Sequence, residues 1–366
     1  NIMLKICIVT GARPNFIKVA PLMRTINKMR DNGTDISCQL IYTGSKDDVT
    51  LESSLFDDLQ MPHPDVFLGV MEESINELTA RVMSEFDHWL DKNPTDKVIV
   101  VDDLASAMAA SIVAKKRGLS LAHIVAGTRS FDINMPKEIN RLVIDSLSDL
   151  LFTAGANSNG IAKREGQDAA DVYMVGNILI DTLRYNRSRL RCPEIANQLQ
   201  LKGKDYLLLT INRKAIINNQ EKLTSIIETI CKSANGVPVI APLRESASKA
   251  ISHLALTYPN LHVIAPLSYL EFGYMSEKAK GIITDSGNVA EEATFYSVPC
   301  ITLNNYTEHL ETVNIGSNVL VGEDINKLSL YVSELISGNW KKCALPDRWD
   351  GRTAERIIRI LLEKEL

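Results

Sequence analysis

Short, almost wholly apolar runs alternate along this chain with longer segments whose apolar positions recur every three or four residues. The first kind reads as strand and the second as amphipathic helix. Strands are predicted at residues 5–10, 37–42, 98–101, 122–125, 150–153 and 172–175, with helical patterns between them at 15–28, 75–90, 105–116 and 137–148. A polar, Arg-rich stretch at 184–204 breaks the alternation and reads as a crossing between domains. The pattern then restarts, with strands predicted at 206–211, 237–241, 262–265, 281–284 and 300–303. Continuous apolar strands separated by helices are the signature of parallel sheets covered on both faces. The expectation is therefore α/β: a Rossmann-like domain over 1–183, a second over 205–340, and a closing helix in 341–366 that packs back on the first. Ligands of such sheets sit beyond the carboxyl ends of the strands, so the expected site is an interdomain cleft. Neither half carries G-x-G-x-x-G after its first strand, which disfavours a dinucleotide cofactor.

With 366 residues, 45% of them hydrophobic, there is material for two cores of ordinary size. A net charge of −5 exerts no long-range pull on nucleic acid or anionic lipid, so neither is an expected partner and any phosphate must be held by local donors. The six cysteines (Cys7, Cys38, Cys192, Cys231, Cys300, Cys343) are scattered, without C-x-x-C and without metal spacing to the six histidines. They are expected to be reduced packing residues in a cytoplasmic chain that holds no metal. No run nears eighteen apolar residues and the start passes directly into a strand, so neither a membrane span nor a signal peptide is expected. His63, His88, His253 and His262 read as surface or packing residues, and for His123, at a strand end, packing and support of a site both stay open.

Chemistry concentrates in two places. At 281–292 an apolar strand runs into Thr284-Asp285-Ser286-Gly287, and a helix carrying Glu291 and Glu292 follows at once. Such a turn offers backbone N–H groups and the positive end of a helix dipole to a phosphate, and a carboxylate one or two turns along can bond sugar hydroxyls. The same Asp and Ser could instead cap the helix. The first strand ends in Thr10-Gly11-Ala12-Arg13-Pro14, with Lys18 one turn on. Gly11 permits close backbone approach, Pro14 can open a helix, and two cations at its first turns suit a diphosphate, unless they form a solvated surface pair.

The segments TGARPNFIKVAPL, AGTRSFDINMPKEINRLVIDSLSDLLFTA, VGNILIDTL, PLSYLEF, TDSGNVAEEA and TEHLETVNIGSNVLVG together make the chain similar to the non-hydrolysing UDP-N-acetylglucosamine 2-epimerase family over nearly its whole length. That resemblance implies a GT-B fold, with UDP bound mainly by the second domain and the sugar facing the first. It implies that Ser286 and Gly287 hold phosphate, that Glu292 bonds the ribose, and that Phe272 lies beside the uracil. Arg13 would meet the diphosphate with Lys18 supporting it, and Asp103 and Arg141 would act at the sugar. The implied ligand is a UDP-sugar, UDP-GlcNAc foremost, converted to UDP-ManNAc without cofactor or metal. C2 loses its hydrogen as UDP departs, and UDP returns with C2 inverted. The family also implies a homodimer and a place in polysaccharide precursor synthesis.

Departures from the family's motifs fall on this chemistry. His-Val-Glu-Ala-Gly-Leu-Arg becomes residues 123–129 with Val125 in place of Glu, and Pro-Glu-Glu-x-Asn-Arg becomes residues 136–141 with Lys137 in place of the first Glu. Gly-Asp-Thr reads Asp102-Asp103-Leu104, so Asp103 is the one member of the acidic trio kept. On the nucleotide side, Leu-His-Arg reads Ile211-Asn212-Arg213, Pro-Val-His reads Pro242-Leu243-Arg244, and the arginine of Thr-Glu-Arg-Pro-Glu is His309. Ser45-Lys46 replaces the Gln-His tied to UDP-sugar activation in some bacterial members, so that regulation is not expected. Two outcomes follow: an epimerase with altered acids, or a catalytically silent UDP-sugar binder that senses precursor or partners an active enzyme. Glu138 is either a helix acid or, with Asp103, part of a rearranged acid set.

Overall fold

The computed structural model describes residues 2–166 and 170–364. Its backbone divides into two units, one running to Tyr185 and resuming at Asp347, the other spanning Asn186–Pro346. The first unit carries seven strands: β1 (Leu4–Thr10), β2 (Ile36–Tyr42), β3 (Val66–Phe67), β4 (Lys97–Val101), β5 (Ser120–Ile124), β6 (Leu150–Thr153) and β7 (Asp171–Met174). They form one parallel sheet in the order β3-β2-β1-β4-β5-β6-β7. The second unit repeats the plan with β8 (Leu207–Thr210), β9 (Val239–Pro242), β10 (Leu261–Ile264), β11 (Gly281–Thr284), β12 (Cys300–Thr302) and β13 (Asn318–Leu320), ordered β10-β9-β8-β11-β12-β13. Both are doubly wound α/β domains with the Rossmann strand order. The order reverses between β1 and β4 in one and between β8 and β11 in the other.

Burial explains why the central strands are apolar throughout. All five residues of β4 and all four of β8 and β11 are buried, because helices cover both faces of the sheet. The Ile75–Lys92 helix turns Val82, Phe86 and Leu90 into the core of its unit, and Ser74 caps it by accepting from the Glu77 N–H. Each such fully buried apolar side chain contributes about 2 kcal/mol. In the same unit the closing Thr353–Glu363 helix packs Ile357, Ile358 and Leu361 inward and touches the Arg13–Asp31 helix. Asp181 pins its first turn by accepting from the N–H groups of Thr353 (3.2 Å) and Ala354 (2.8 Å). Burial pushes the Asp181 carboxyl up to about 6.

Several element boundaries differ from the pattern-based reading. β3 and β13 are edge strands of two and three residues, too short to leave a period in the sequence. The strand expected at 122–125 ends at Ile124, because Val125 turns into the left-handed region at φ 68°. The Arg-rich stretch after 184 holds a 3₁₀ turn, Arg187–Arg189, and a short helix, Glu194–Gln198, which its polar composition did not mark. All six cysteines are free, with Cys7, Cys231 and Cys300 buried. Among the described residues no helix is long and apolar enough to cross a membrane, and no cluster of His, Cys, Asp and Glu is arranged for a metal.

Candidate functional site

In the second unit, the strand-order reversal lies between β8 and β11, whose last residues are joined by a 2.7 Å bond between the Thr210 and Thr284 hydroxyls. Beyond it Asp285 is the organiser. Its Oδ2 accepts from the N–H of Asn212 (2.8 Å) and of Arg213 (2.7 Å), and its carbonyl accepts from Asn304 Nδ2 (3.0 Å). Asn304 Oδ1 in turn accepts from Arg213 Nη1 at 2.6 Å. Burial pushes the Asp285 carboxyl up, against the opposing pull of those two N–H groups. Asp285 is thus not a helix cap. Ser286 is, its Oγ accepting from the Val289 N–H at 3.5 Å at the head of the Gly287–Phe295 helix. The N–H groups of Gly287 and Asn288, in the first turn, have no intrahelical acceptor and face whatever occupies the turn.

Glycine at 287 keeps that turn open: a Cβ there would lie 3.1 Å from the Glu308 carboxylate. Glu291 and Glu292 are both buried along the helix, and Glu291 Oε1 lies 3.3 Å from His309 Nε2. Arg244 is exposed two residues beyond β9, and half-buried Phe272 lies in the first turns of the Tyr269–Lys278 helix, which Ser268 caps. Asn212, Arg213, Ser286 and Gly287 are therefore gathered at one sheet edge, with Glu292 one to two turns further on. Asn304 was missed. Asn304 lies in a loop after a three-residue strand, where no period marks it.

In the first unit the corresponding edge is formed by the ends of β1, β4 and β5. Gly11 donates its N–H to Asn15 Oδ1 (2.9 Å), and a Cβ at Gly11 would sit 2.0 Å from Ser106 Oγ, so the turn rests directly on the Ala105–Lys116 helix. Arg13 opens the next helix with Pro14 and lies 3.9 Å from Glu52, both side chains partly exposed. Lys18 is buried, its Nζ 2.6 Å from Asp102 Oδ1. Asp103 Oδ2 receives two bonds from Arg141, from Nε at 3.0 Å and Nη2 at 2.9 Å. Arg141 is fully buried and also meets Glu138 at 3.3 Å. The Glu138 carboxylate accepts from the N–H groups of Ser130 (2.9 and 3.1 Å) and Phe131. Burial pushes the Glu138 carboxyl up, but those bonds and Arg141 outweigh it and hold it below the usual range.

Beneath these residues lies a buried ionic scaffold. His123 Nδ1 is 2.6 Å from Asp145 Oδ1 and Nε2 is 2.7 Å from the Asp102 carbonyl oxygen. Both partners only accept, so both ring nitrogens donate and the ring is an imidazolium. Burial would lower the His123 pKa, but Asp145 outweighs it and raises it; Asp145, buried yet facing His123 and Arg129, is held low. Arg129 bridges Asp145 at 2.8 Å and Glu165 at 2.7 Å. The backbone above is unusual: Asp102, Val125 and Phe131 have φ of 62°, 68° and 61°. A β-branched residue there is a clear outlier. Val125 is buried, whereas Lys137 is exposed at the start of the Pro136–Leu147 helix with no ion-pair partner among the described residues.

The family model described as UDP-N-acetylglucosamine 2-epimerase matches residues 28–362. A UDP-N-acetylglucosamine 2-epimerase of Methanocaldococcus jannaschii is 33% identical over 98% of this chain and 99% of its own length. A UDP-2,3-diacetamido-2,3-dideoxy-D-glucuronate 2-epimerase of Pseudomonas aeruginosa is 32% identical over 87% of this chain and 88% of its own. The crystal structure of the M. jannaschii epimerase in complex with UDP-GlcNAc and UDP superposes with a TM-score of 0.84 at 32% identity, covering 98% of this chain and 100% of that one. The two parallel-sheet α/β domains found here are those of the GT-B-like epimerase fold. With its matched residues running from the first helix to the last, this chain belongs to the UDP-N-acetylglucosamine 2-epimerase family.

Proposed function

We propose that this chain binds a UDP-sugar, UDP-GlcNAc foremost, and that its second unit holds the nucleotide. The observation that carries the reading is the Asp285 hub, which draws Asn212, Arg213 and Asn304 to the Ser286–Gly287 turn. Open N–H groups at a helix start, one guanidinium and one glycine make a seat for phosphate, and Glu292 follows on the same helix for the ribose. The relative whose structure contains UDP-GlcNAc and UDP supports the choice of ligand. Arg13 is the first unit's candidate for the diphosphate, and Asp103 with Arg141 its candidates for the sugar.

In the reaction proposed, a base takes the C2 proton, the C2–H electrons form the C1=C2 bond, and the C1–O bond breaks to release UDP. In the return an acid delivers a proton to the opposite face of C2, the C1=C2 electrons form the new C2–H bond, and the UDP oxygen bonds again to C1. Asp103, fixed by two bonds from Arg141, is the carboxylate left to act at the sugar. Val125 cannot titrate, and Lys137 brings a cation where the family brings a carboxylate. At an effective dielectric of about 20 and a separation of about 5 Å, one charge against positive charge developing at C1 is worth about 3 kcal/mol. Exchanging Glu for Lys is worth about twice that, on the order of ten-thousand-fold in rate. The reading is therefore a slow epimerase. A silent binder is the second reading, favoured by Glu138, whose carboxylate is already taken up by Ser130, Phe131 and Arg141.

The test is incubation with UDP-GlcNAc in deuterated water, following the C2 proton by NMR, beside thermal stabilisation by UDP. Stabilisation with slow exchange is expected. Stabilisation without exchange leaves the silent binder standing, and no stabilisation by UDP overturns both.

A further inference from the structure

We propose that Asp102 sets this site's affinity for a diphosphate by neutralising Lys18. The proposal rests on the UDP-sugar reading above. Both residues lie at the β1–β4 reversal, the position at which open α/β sheets bind their ligands. Lys18 presents its ammonium there from the first helix, and Asp102 follows directly on β4. Their 2.6 Å contact is largely shielded, with side chains 6% and 15% exposed. A phosphate approaching Lys18 therefore meets a neutral pair whose outer member is a carboxylate.

Asp102 is held against Lys18 from two sides. Asn15 Nδ2 holds its second carboxylate oxygen at 3.3 Å, and the His123 imidazolium holds its carbonyl at 2.7 Å. Its backbone, at φ 62°, is one that glycine adopts without cost, and glycine stands here in the family's Gly-Asp-Thr motif. A side chain at this position is strained, and what it supplies beyond glycine is the carboxylate against Lys18. The cations beside it are tied in the same way, Arg141 by Asp103 and Glu138, and Arg129 by Asp145 and Glu165. Lys18 differs in that its carboxylate partner stands where the family's motif has none.

The experiment is calorimetric titration of the full chain with UDP and, separately, with uridine, for the wild type, Asp102→Asn and Asp102→Gly. Removing one charge beside the diphosphate is expected to tighten UDP about tenfold or more in low salt while leaving uridine within about twofold. Asp102→Gly needs no side-chain tolerance at positive φ and serves if Asp102→Asn folds poorly. An unchanged ratio of UDP to uridine affinity in both variants overturns the inference. Failure of all three proteins to bind UDP overturns the proposed function itself, so the two failures are distinguishable.

Discussion

Asp145→Asn tests whether the buried scaffold under β4 and β5 determines the shape of the site above it. The Asp145 carboxylate serves three donors: His123 Nδ1 at 2.6 Å, Arg129 Nη1 at 2.8 Å and the Gly127 N–H at 3.0 Å. Removing one partner of a buried pair costs about 3–5 kcal/mol. Arg129 keeps Glu165, and His123 can shed its proton, so the lower end, about 3 kcal/mol at pH 7, is expected. The pH dependence follows from the signs. A raised His123 pKa gives stability that is complete below the unfolded value of about 6.5 and is lost as pH rises through the folded value. A lowered Asp145 pKa gives stability present above about 3.9 and lost as pH falls through its folded value. The variant, with its histidine buried and neutral, should instead gain stability as pH rises toward about 6.5 and level off above it. The gap between the two proteins should therefore be wider at about pH 6 than at about pH 9. Hydrogen exchange of the β4 and β5 amides reads the opening of this unit by itself. A gap that is the same at pH 6 and pH 9, or smaller than about 1 kcal/mol, would refute the assignment of His123 as a buried imidazolium held by Asp145.

Three further outcomes are expected. Ser286→Ala removes a long 3.5 Å cap bond and should cost about 0.5–1 kcal/mol of stability in denaturant titration while weakening UDP binding. Gly11→Ala places a methyl 2.0 Å from Ser106 Oγ and should destabilise by about 1–3 kcal/mol, with partial rescue when Ser106→Ala removes that oxygen. Val125→Glu combined with Lys137→Glu should raise C2 proton exchange by orders of magnitude in the NMR assay; an inert double variant that still binds UDP would show that these positions do not face C2.

The sheets were legible because their information is one-dimensional. Apolar runs such as Val98-Ile99-Val100 and Gly281-Ile282-Ile283 mark buried parallel strands whatever lies around them, whereas β3 and β13 are too short to show a pattern. The Ser286–Gly287 turn was legible because strand, turn and helix are contiguous. Contacts across long sequence separations were not. Asp285 reads as a cap from its neighbours, and its true partners, Asn212 and Arg213, lie more than seventy residues earlier. The Lys18–Asp102 pair spans 84 residues, and nothing local distinguishes that lysine from a solvated one. Glu138 read as either a helix acid or a reactive one, and its bonds to Ser130 and Phe131 show it holding the loop ahead of its own helix.

The separation between scaffold and reacting groups is itself informative. The left-handed backbone at Asp102 and Val125 is imposed from below, by the His123 bond to the Asp102 carbonyl and the Asp145 bond to the Gly127 N–H. At Gly127, itself at φ 76°, a Cβ would lie 2.2 Å from the Ser158 carbonyl oxygen, so the turn after β5 takes glycine there. Each strained residue costs about 1–3 kcal/mol, and rigid surroundings must over-determine it. The two bonds named, His123 to the Asp102 carbonyl and Asp145 to the Gly127 N–H, involve neither the Asp102 nor the Val125 side chain. On the reading proposed, binding and turnover are separable: the Asp285 hub belongs to the second unit and makes none of its bonds to Val125 or Lys137. A variant that gains C2 exchange with unchanged affinity for UDP is the behaviour this arrangement permits.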